Sequence, residues 1–170
     1  LLSVYRNMKC FVVYVVPDSL AYKAGIRVGD QLLEVDHHMI NKVEVLERLI
    51  MSPSFPLCLL MKENPYLETH TIEILKGETM GFNLRDGEIV WVKFDSPSWH
   101  KLKVDYQIVE INTHCSLGMT DAEFERTIRN AAWHNPKREV TLTIMPRGVY
   151  RRILNRISAD LVRRKAIYKV

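Results

Sequence analysis

The chain has 170 residues, 47% of them hydrophobic, enough for one ordinary domain or two small ones with separate cores and too apolar for a disordered tail. Its longest strongly apolar run, residues 10–16, is seven residues long, so neither a membrane-spanning helix of about 20 residues nor a secretory leader is expected, and the chain reads as soluble. The net charge of +4 is unevenly divided: residues 149–170 carry seven Lys and Arg against Asp160 alone, whereas the other 148 residues carry 17 basic and 19 acidic side chains, a mildly acidic body that argues against nucleic acid as a partner.

In chain order, the β-branched run 11–16 predicts a strand, Pro17 and Ser19 a turn, 31–35 a second strand, 42–51 a helix and 57–61 a closing strand. A connector at 64–68, containing Pro65, leads to strands at 70–75, 82–85 and 89–92, a turn punctuated by Ser96, Pro97 and Ser98, and a further strand at 107–111. A helix over 121–131 follows. Thr120 is its expected N-cap and Glu123 stands three residues on, the reciprocal arrangement that satisfies the free amides of a helix start. Phe124, Thr127, Ile128 and Ala131 then share one face, the spacing of a core-facing stripe. A last strand is expected at 140–145, and after it Ile153, Leu154, Ile157 and Leu161 recur at helical spacing among the basic residues.

The order of elements repeats because the sequence does. Residues 27–36, Arg-Val-Gly-Asp-Gln-Leu-Leu-Glu-Val-Asp, are echoed by residues 103–112, Lys-Val-Asp-Tyr-Gln-Ile-Val-Glu-Ile-Asn, at an offset of 76. Upstream, Val15, Asp18 and Ser19 match Val92, Asp95 and Ser96 at 77; downstream, Leu46, Glu47, Arg48 and Ile50 match Phe124, Glu125, Arg126 and Ile128 at 78. Offsets that drift by single residues are those of loop insertions, so the chain reads as a duplication: one unit over 1–63, a second over 69–148, and a basic amphipathic segment over 149–170.

Residues 19–36, Ser-Leu-Ala-Tyr-Lys-Ala-Gly-Ile-Arg-Val-Gly-Asp-Gln-Leu-Leu-Glu-Val-Asp, resemble the most recognisable stretch of PDZ domains, in which an Ala-Gly-Leu-like turn leads into Gly-Asp, a strand and a terminal Asn or Asp. The second repeat departs from that pattern, with Asp105-Tyr106 in place of Gly-Asp and Ser98-Trp99-His100-Lys101 in place of the Ala-Gly turn. It has instead Lys76-Gly77-Glu78-Thr79-Met80-Gly81-Phe82, which resembles the carboxylate-binding loop of the family, Thr79 to Phe82 standing for Gly-Leu-Gly-Phe. The resemblance covers about 140 residues, everything but the basic end. It implies a mainly β fold with short helices: two PDZ-like, partly open β-sandwich or barrel units in tandem, followed by the basic amphipathic helix.

The resemblance also implies a chemistry. An extended peptide adds as a strand to the edge of Phe82, Asn83, Leu84 and Arg85, and successive backbone amides of Met80, Gly81 and Phe82 hold its terminal carboxylate, with Thr79 completing the loop and Lys76 assisting through water. Met80 and Phe82 line the pocket for the last ligand side chain, Ile128 forms the opposite wall, and Glu125 shares the groove face of the helix. Asp121, at the first position of that helix, faces the third residue from the ligand end, where it would favour Tyr, Lys or Arg. Two plainer readings stand beside this one: Lys76-Gly77-Glu78 as an ordinary turn, and Asp121 as a carboxylate placed favourably near a helix N-terminus. In the first unit Leu1 falls opposite Glu78 and Leu2-Ser3-Val4-Tyr5 opposite Thr79 to Phe82, with no glycine, so no carboxylate site is expected there and the unit reads as incomplete or degenerate.

No catalytic, metal or cofactor chemistry is expected. The six histidines, His37, His38, His70, His100, His114 and His134, accompany no His-Glu-x-x-His helix and no Cys-x-x-Cys pair; Gly-x-Ser-x-Gly and phosphate-cradling glycine loops are missing from the sequence. Cys10, Cys58 and Cys115 leave one thiol unpaired under any scheme, which favours a reducing, cytoplasmic setting. A first residue of Leu reads as a piece of something longer. The expected function is a non-catalytic scaffold or adaptor segment that binds C-terminal tails of other proteins. Its rival is a membrane-surface or assembly module in which degenerate units pack together and the basic helix meets an anionic membrane surface, against which stands a helix that docks its stripe on the protein and leaves its charges in water. The end of the chain, Ile167, Tyr168, Lys169 and Val170, itself resembles a hydrophobic PDZ ligand, which opens self-association as a further expectation.

Overall fold

The computed structural model describes residues 2–6, 9–40, 46, 56–74 and 79–155. It is mainly β with short helices, and the chain divides into two compact units at a boundary between Pro65 and Tyr66, inside the 64–68 connector.

In the first unit, β1 (Leu2–Arg6), β2 (Lys9–Tyr14), α1 (Leu20–Lys23), β3 (Gln31–Val35), β4 (His38–Met39) and β5 (Leu59–Lys62) follow in order. The strands form an antiparallel sheet ordered β1-β2-β3-β4, with β5 also paired to β3. Cys10, Val12, Leu32, Val35 and Leu46 are buried to 3% exposure or less and make its core. Leu46 is helical; the rest of the helix expected over 42–51 lies outside the described residues.

The second unit contains β6 (Glu68–Glu73), β7 (Phe82–Arg85), β8 (Glu88–Val92), β9 (Tyr106–Ile111), β10 (His114–Cys115), α2 (Asp121–His134) and β11 (Glu139–Pro146), followed by α3 (Arg147–Leu154). Its sheet runs β6-β11-β9-β8-β7, with β10 also on β9. In β9, Gln107 to Ile111 are all buried, the mark of a strand covered on both faces, and Ile72, Ile89, Phe124, Leu142 and Ile144 complete a core that excludes water almost entirely.

The repeat seen in the sequence is thus a repeat of pairing: β1-β2-β3 with β4 and β5 on β3 has the connectivity of β7-β8-β9 with β10 and β11 on β9. It extends to backbone angles. Asp18 and Asp95, Asp36 and Asn112, and Gly29 and Asp105 are matched pairs, and all six residues lie in the left-handed region. The residue that ends the conserved-looking strand clamps the closing strand in both units. Asp36 Oδ1 accepts from Cys58 N–H at 2.8 Å while Asp36 N–H donates to the Cys58 carbonyl; Asn112 Oδ1 accepts from Thr141 N–H at 3.0 Å while its own N–H donates to the Thr141 carbonyl. A short side chain with an oxygen, tolerant of positive φ, is what that position requires.

Three expectations are corrected. Residues 2–5 are strand, not the counterpart of Thr79 to Phe82. Val4 pairs with Phe11, which pairs with Gln31; Arg85 pairs with Glu88, which pairs with Gln107, the repeat partner of Gln31. Val4 therefore occupies the place of Arg85, because the first hairpin extends two residues further before it turns, and the sequence offset of 77 does not carry across that turn. The strand expected at 11–16 is β2, drawn back to Lys9 by its pairing with β1. The helix expected over 121–131 runs on to His134.

The basic segment begins as α3, whose first residue is tied to the sheet: Arg147 N–H donates to the Asp105 carbonyl at 2.9 Å, and Arg147 Nη1 meets the buried carboxylate of Glu88 at 2.7 Å. Of the charges expected to face a membrane, Arg151 and Arg152 are exposed on α3, whereas residues 156–170, and with them Arg156, Arg163, Arg164, Lys165 and the chain end Ile167, Tyr168, Lys169 and Val170, lie outside the described residues. Among the described residues no helix is long and apolar enough to cross a membrane, and no three His, Cys, Asp or Glu side chains are grouped to hold a metal ion.

Candidate functional site

β7 is an edge strand. β8 occupies one side of it, and on the other side it faces α2 across a groove of about 750 Å³. Both walls follow from local sequence. Thr120 and Glu123 form the capping box: Thr120 Oγ1 accepts from Glu123 N–H, and Glu123 Oε2 accepts from Thr120 N–H at 2.8 Å. From that start Phe124, Ile128 and Ala132 recur at four-residue spacing and are buried. Asp121 Oδ1 accepts from Gly87 N–H at 3.1 Å, which pins the helix start to the β7–β8 turn. The helix therefore runs antiparallel to β7, and its last turns pass the beginning of that strand. In β7 the pleat turns Phe82 and Leu84 inward, half-buried, and leaves Asn83 and Arg85 exposed.

The turn into β7 is held from below. Gly81 has φ +74°, and a Cβ there would collide with the Ser96 side chain, so only glycine fits. Ser98, fully buried, donates through Oγ to the Met80 carbonyl at 2.6 Å; Lys93 N–H donates to the Gly81 carbonyl at 2.7 Å; Ser96 Oγ donates to the Lys93 carbonyl at 2.8 Å. The carbonyls of the turn are thereby engaged. Among the described residues, no carbonyl takes the N–H of Met80 or Gly81; Met80 lines the groove and Gly81 lies next to it in the chain.

Thr79, Met80, Phe82, Asn83, Leu84, Glu125 and Ile128 are brought together as lining of the groove, with Gly81 buried beneath its end. Asp121 stands outside the lining, occupied with Gly87; the acidic side chain that lines the groove is Glu125. Lys76 lies outside the described residues. Sequence reasoning passed over Ser96 and Ser98, which support the turn, and Arg129, Trp133 and Arg138, which line the groove. Ser96 is the repeat partner of Ser19 and Ser98 opens the segment that departs from the Ala-Gly pattern, but nothing local in the sequence ties either serine to Met80 or Gly81. Trp133 carried a better signal, a large aromatic one position past the buried stripe of Phe124, Ile128 and Ala132; the residue is 79% exposed.

Comparison with known proteins agrees with this geometry. A family model described as PDZ domain matches residues 11–55. Syntenin-2 of Mus musculus is 25% identical over 164 residues, 89% of this chain and 52% of the relative; Syntenin-1 of Mus musculus is 26% identical over 165 residues, and Syntenin-1 of Homo sapiens 24% over 165 residues, 90% of this chain and 51% of the relative. The chain spans about half the length of the curated relatives it matches. A solved structure of INAD PDZ45 in complex with NG2 peptide is similar over 81% of this chain and 75% of that chain at 14% identity, with a TM-score of 0.33, too low to add to the assignment. Residues 11–55 are thus similar to a PDZ domain, the whole chain is similar to about half of each syntenin, and the second unit repeats the strand connectivity and left-handed turns of the first.

Proposed function

We propose that the chain is a non-catalytic scaffold or adaptor segment that binds the C-termini of partner proteins in the groove of its second unit. One observation carries the reading: an edge strand with its outer side open, an apolar trough beside it, and two backbone amides at one end of that trough. A peptide strand laid antiparallel on β7 would complete the ladder, its terminal carboxylate would meet the Met80 and Gly81 amides, and its last side chain would enter between Met80, Phe82, Ile128 and Ala132. The family supports the same use. Cys10, Cys58 and Cys115 are present as thiols rather than disulfides, in keeping with a reducing, cytoplasmic setting.

The test is a screen of the 170-residue protein against a library of peptides with free C-termini. Enrichment of peptides with a large apolar last residue is expected, and enrichment should vanish when Leu84→Lys places a charge in the trough. A screen that enriches nothing contradicts the proposal.

A further inference from the structure

At the end of the groove where β7 begins, two arginines contribute to the lining. Arg129 follows Ile128 on α2, and Arg138 lies in the turn between α2 and β11; both line the groove and both are exposed. The position of Arg138 is fixed by backbone. Its N–H donates to the Asn135 carbonyl at 2.8 Å, and its own carbonyl accepts from Ile74 N–H at 3.0 Å, which sets it beside the point where β6 runs out towards Thr79. Among the described residues neither guanidinium has a hydrogen-bond or ion-pair partner, whereas Lys103 and Arg147 are each engaged with a carboxylate. The charged side chains in the lining are three arginines and one glutamate, an anion-seeking balance in a body that is otherwise mildly acidic.

We propose that Arg129 and Arg138 form a cationic rim that receives the terminal carboxylate of the bound peptide. This rests on the peptide-binding reading above. The two contributions differ in kind: the backbone amides of Met80 and Gly81 hold an acid by short, directional, charge-assisted hydrogen bonds and a neutral carboxamide more weakly, while the full charges of the arginines add a longer-range attraction that only a charged chain end feels. Because both arginines are exposed, the discrimination is modest and falls with added salt.

The experiment uses the 170-residue protein immobilised on resin and two probes: a mixed hexapeptide pool ending in Val with a free carboxylate, and the same pool amidated. The ratio of acid to amide retained is read by mass spectrometry at low and high salt. For R129Q/R138Q the ratio is expected to fall about fivefold, the effect of one exposed ion pair, and to lose its salt dependence, while R129K/R138K keeps it; the thermal midpoint stays as in the parent. A double glutamine variant that discriminates acid from amide as well as the parent overturns the cationic rim and leaves peptide binding standing. A parent that retains neither pool, or both equally, overturns the peptide-binding reading and the rim with it.

Discussion

At residue 105 the chain keeps an aspartate in a backbone conformation that glycine holds at the matching place in the first unit: φ is +65° at Asp105 and +89° at Gly29. The two positions differ in what surrounds them. A Cβ at Gly29 would strike the Asn64 side chain, whose own backbone N–H donates to Asp30 Oδ1 at 2.8 Å, so a side chain there has to displace the Asn64 amide as well as hold the left-handed backbone. Asp105 has room and bears only the left-handed strain, about 1 kcal/mol for a non-glycine residue and less for aspartate. Asp105→Gly relieves that strain and adds backbone entropy to the unfolded chain, so the second unit should change in stability by less than about 1 kcal/mol. Urea unfolding followed by tryptophan fluorescence reads this cleanly, since Trp91, Trp99 and Trp133 all belong to the second unit. Gly29→Asp should cost the first unit several times more. Equal effects at the two positions, followed by circular dichroism, would contradict the packing argument. From the sequence, Asp105-Tyr106 reads as a departure from Gly-Asp; the preserved backbone became visible only with φ, because aspartate is one of the few residues that tolerates the left-handed region.

At the scale of elements, strands with a strong apolar pattern and the capped helix were legible: β8, β9, α2 and β11 lie within a few residues of where patterning puts them. The two-residue strands β4 and β10 were not, since they exist only as partners of β3 and β9 and carry no periodicity of their own. The same holds for β1, whose register is set by how far its hairpin extends. Edge strand β6 is joined to the loop before β9 by Glu68 and Lys103, whose Nζ meets Glu68 Oε2 at 2.7 Å. The Lys103 ammonium, with a smaller contribution from His70, holds the Glu68 carboxyl below its ordinary value of 4.5. A carboxylate whose folded pKa is lowered contributes stability in full above that ordinary value and loses it as pH falls through the folded pKa. Both groups are at least partly exposed and screened by solvent, so the contribution is small. Wild type should exceed Glu68→Gln in urea midpoint at pH 7, and the gap should close as pH is lowered well below 4.5; a gap that persists unchanged in acid would show that Glu68 acts through packing instead.

For the molecule as a whole, the duplication was legible because three matched segments in one order survive loop drift, and the site was legible as far as the glycine and the strand following it. What remained hidden was tertiary: Ser98 from another loop beneath Met80, Asp121 engaged with Gly87, and arginines from α2 and from the turn after it lining one groove. No local pattern reports such meetings, since each residue is ordinary in its own segment. The claim that joins these parts is that the groove beside β7 recognises a chain end. Calorimetric titration of the 170-residue protein with one peptide selected from the free C-terminal library, made as the acid and as the C-terminal amide, tests it directly. Loss of charge-assisted hydrogen bonds to the Met80 and Gly81 amides and of the attraction of Arg129 and Arg138 predicts binding at least about tenfold weaker for the amide. Equal affinity for the two forms would contradict it.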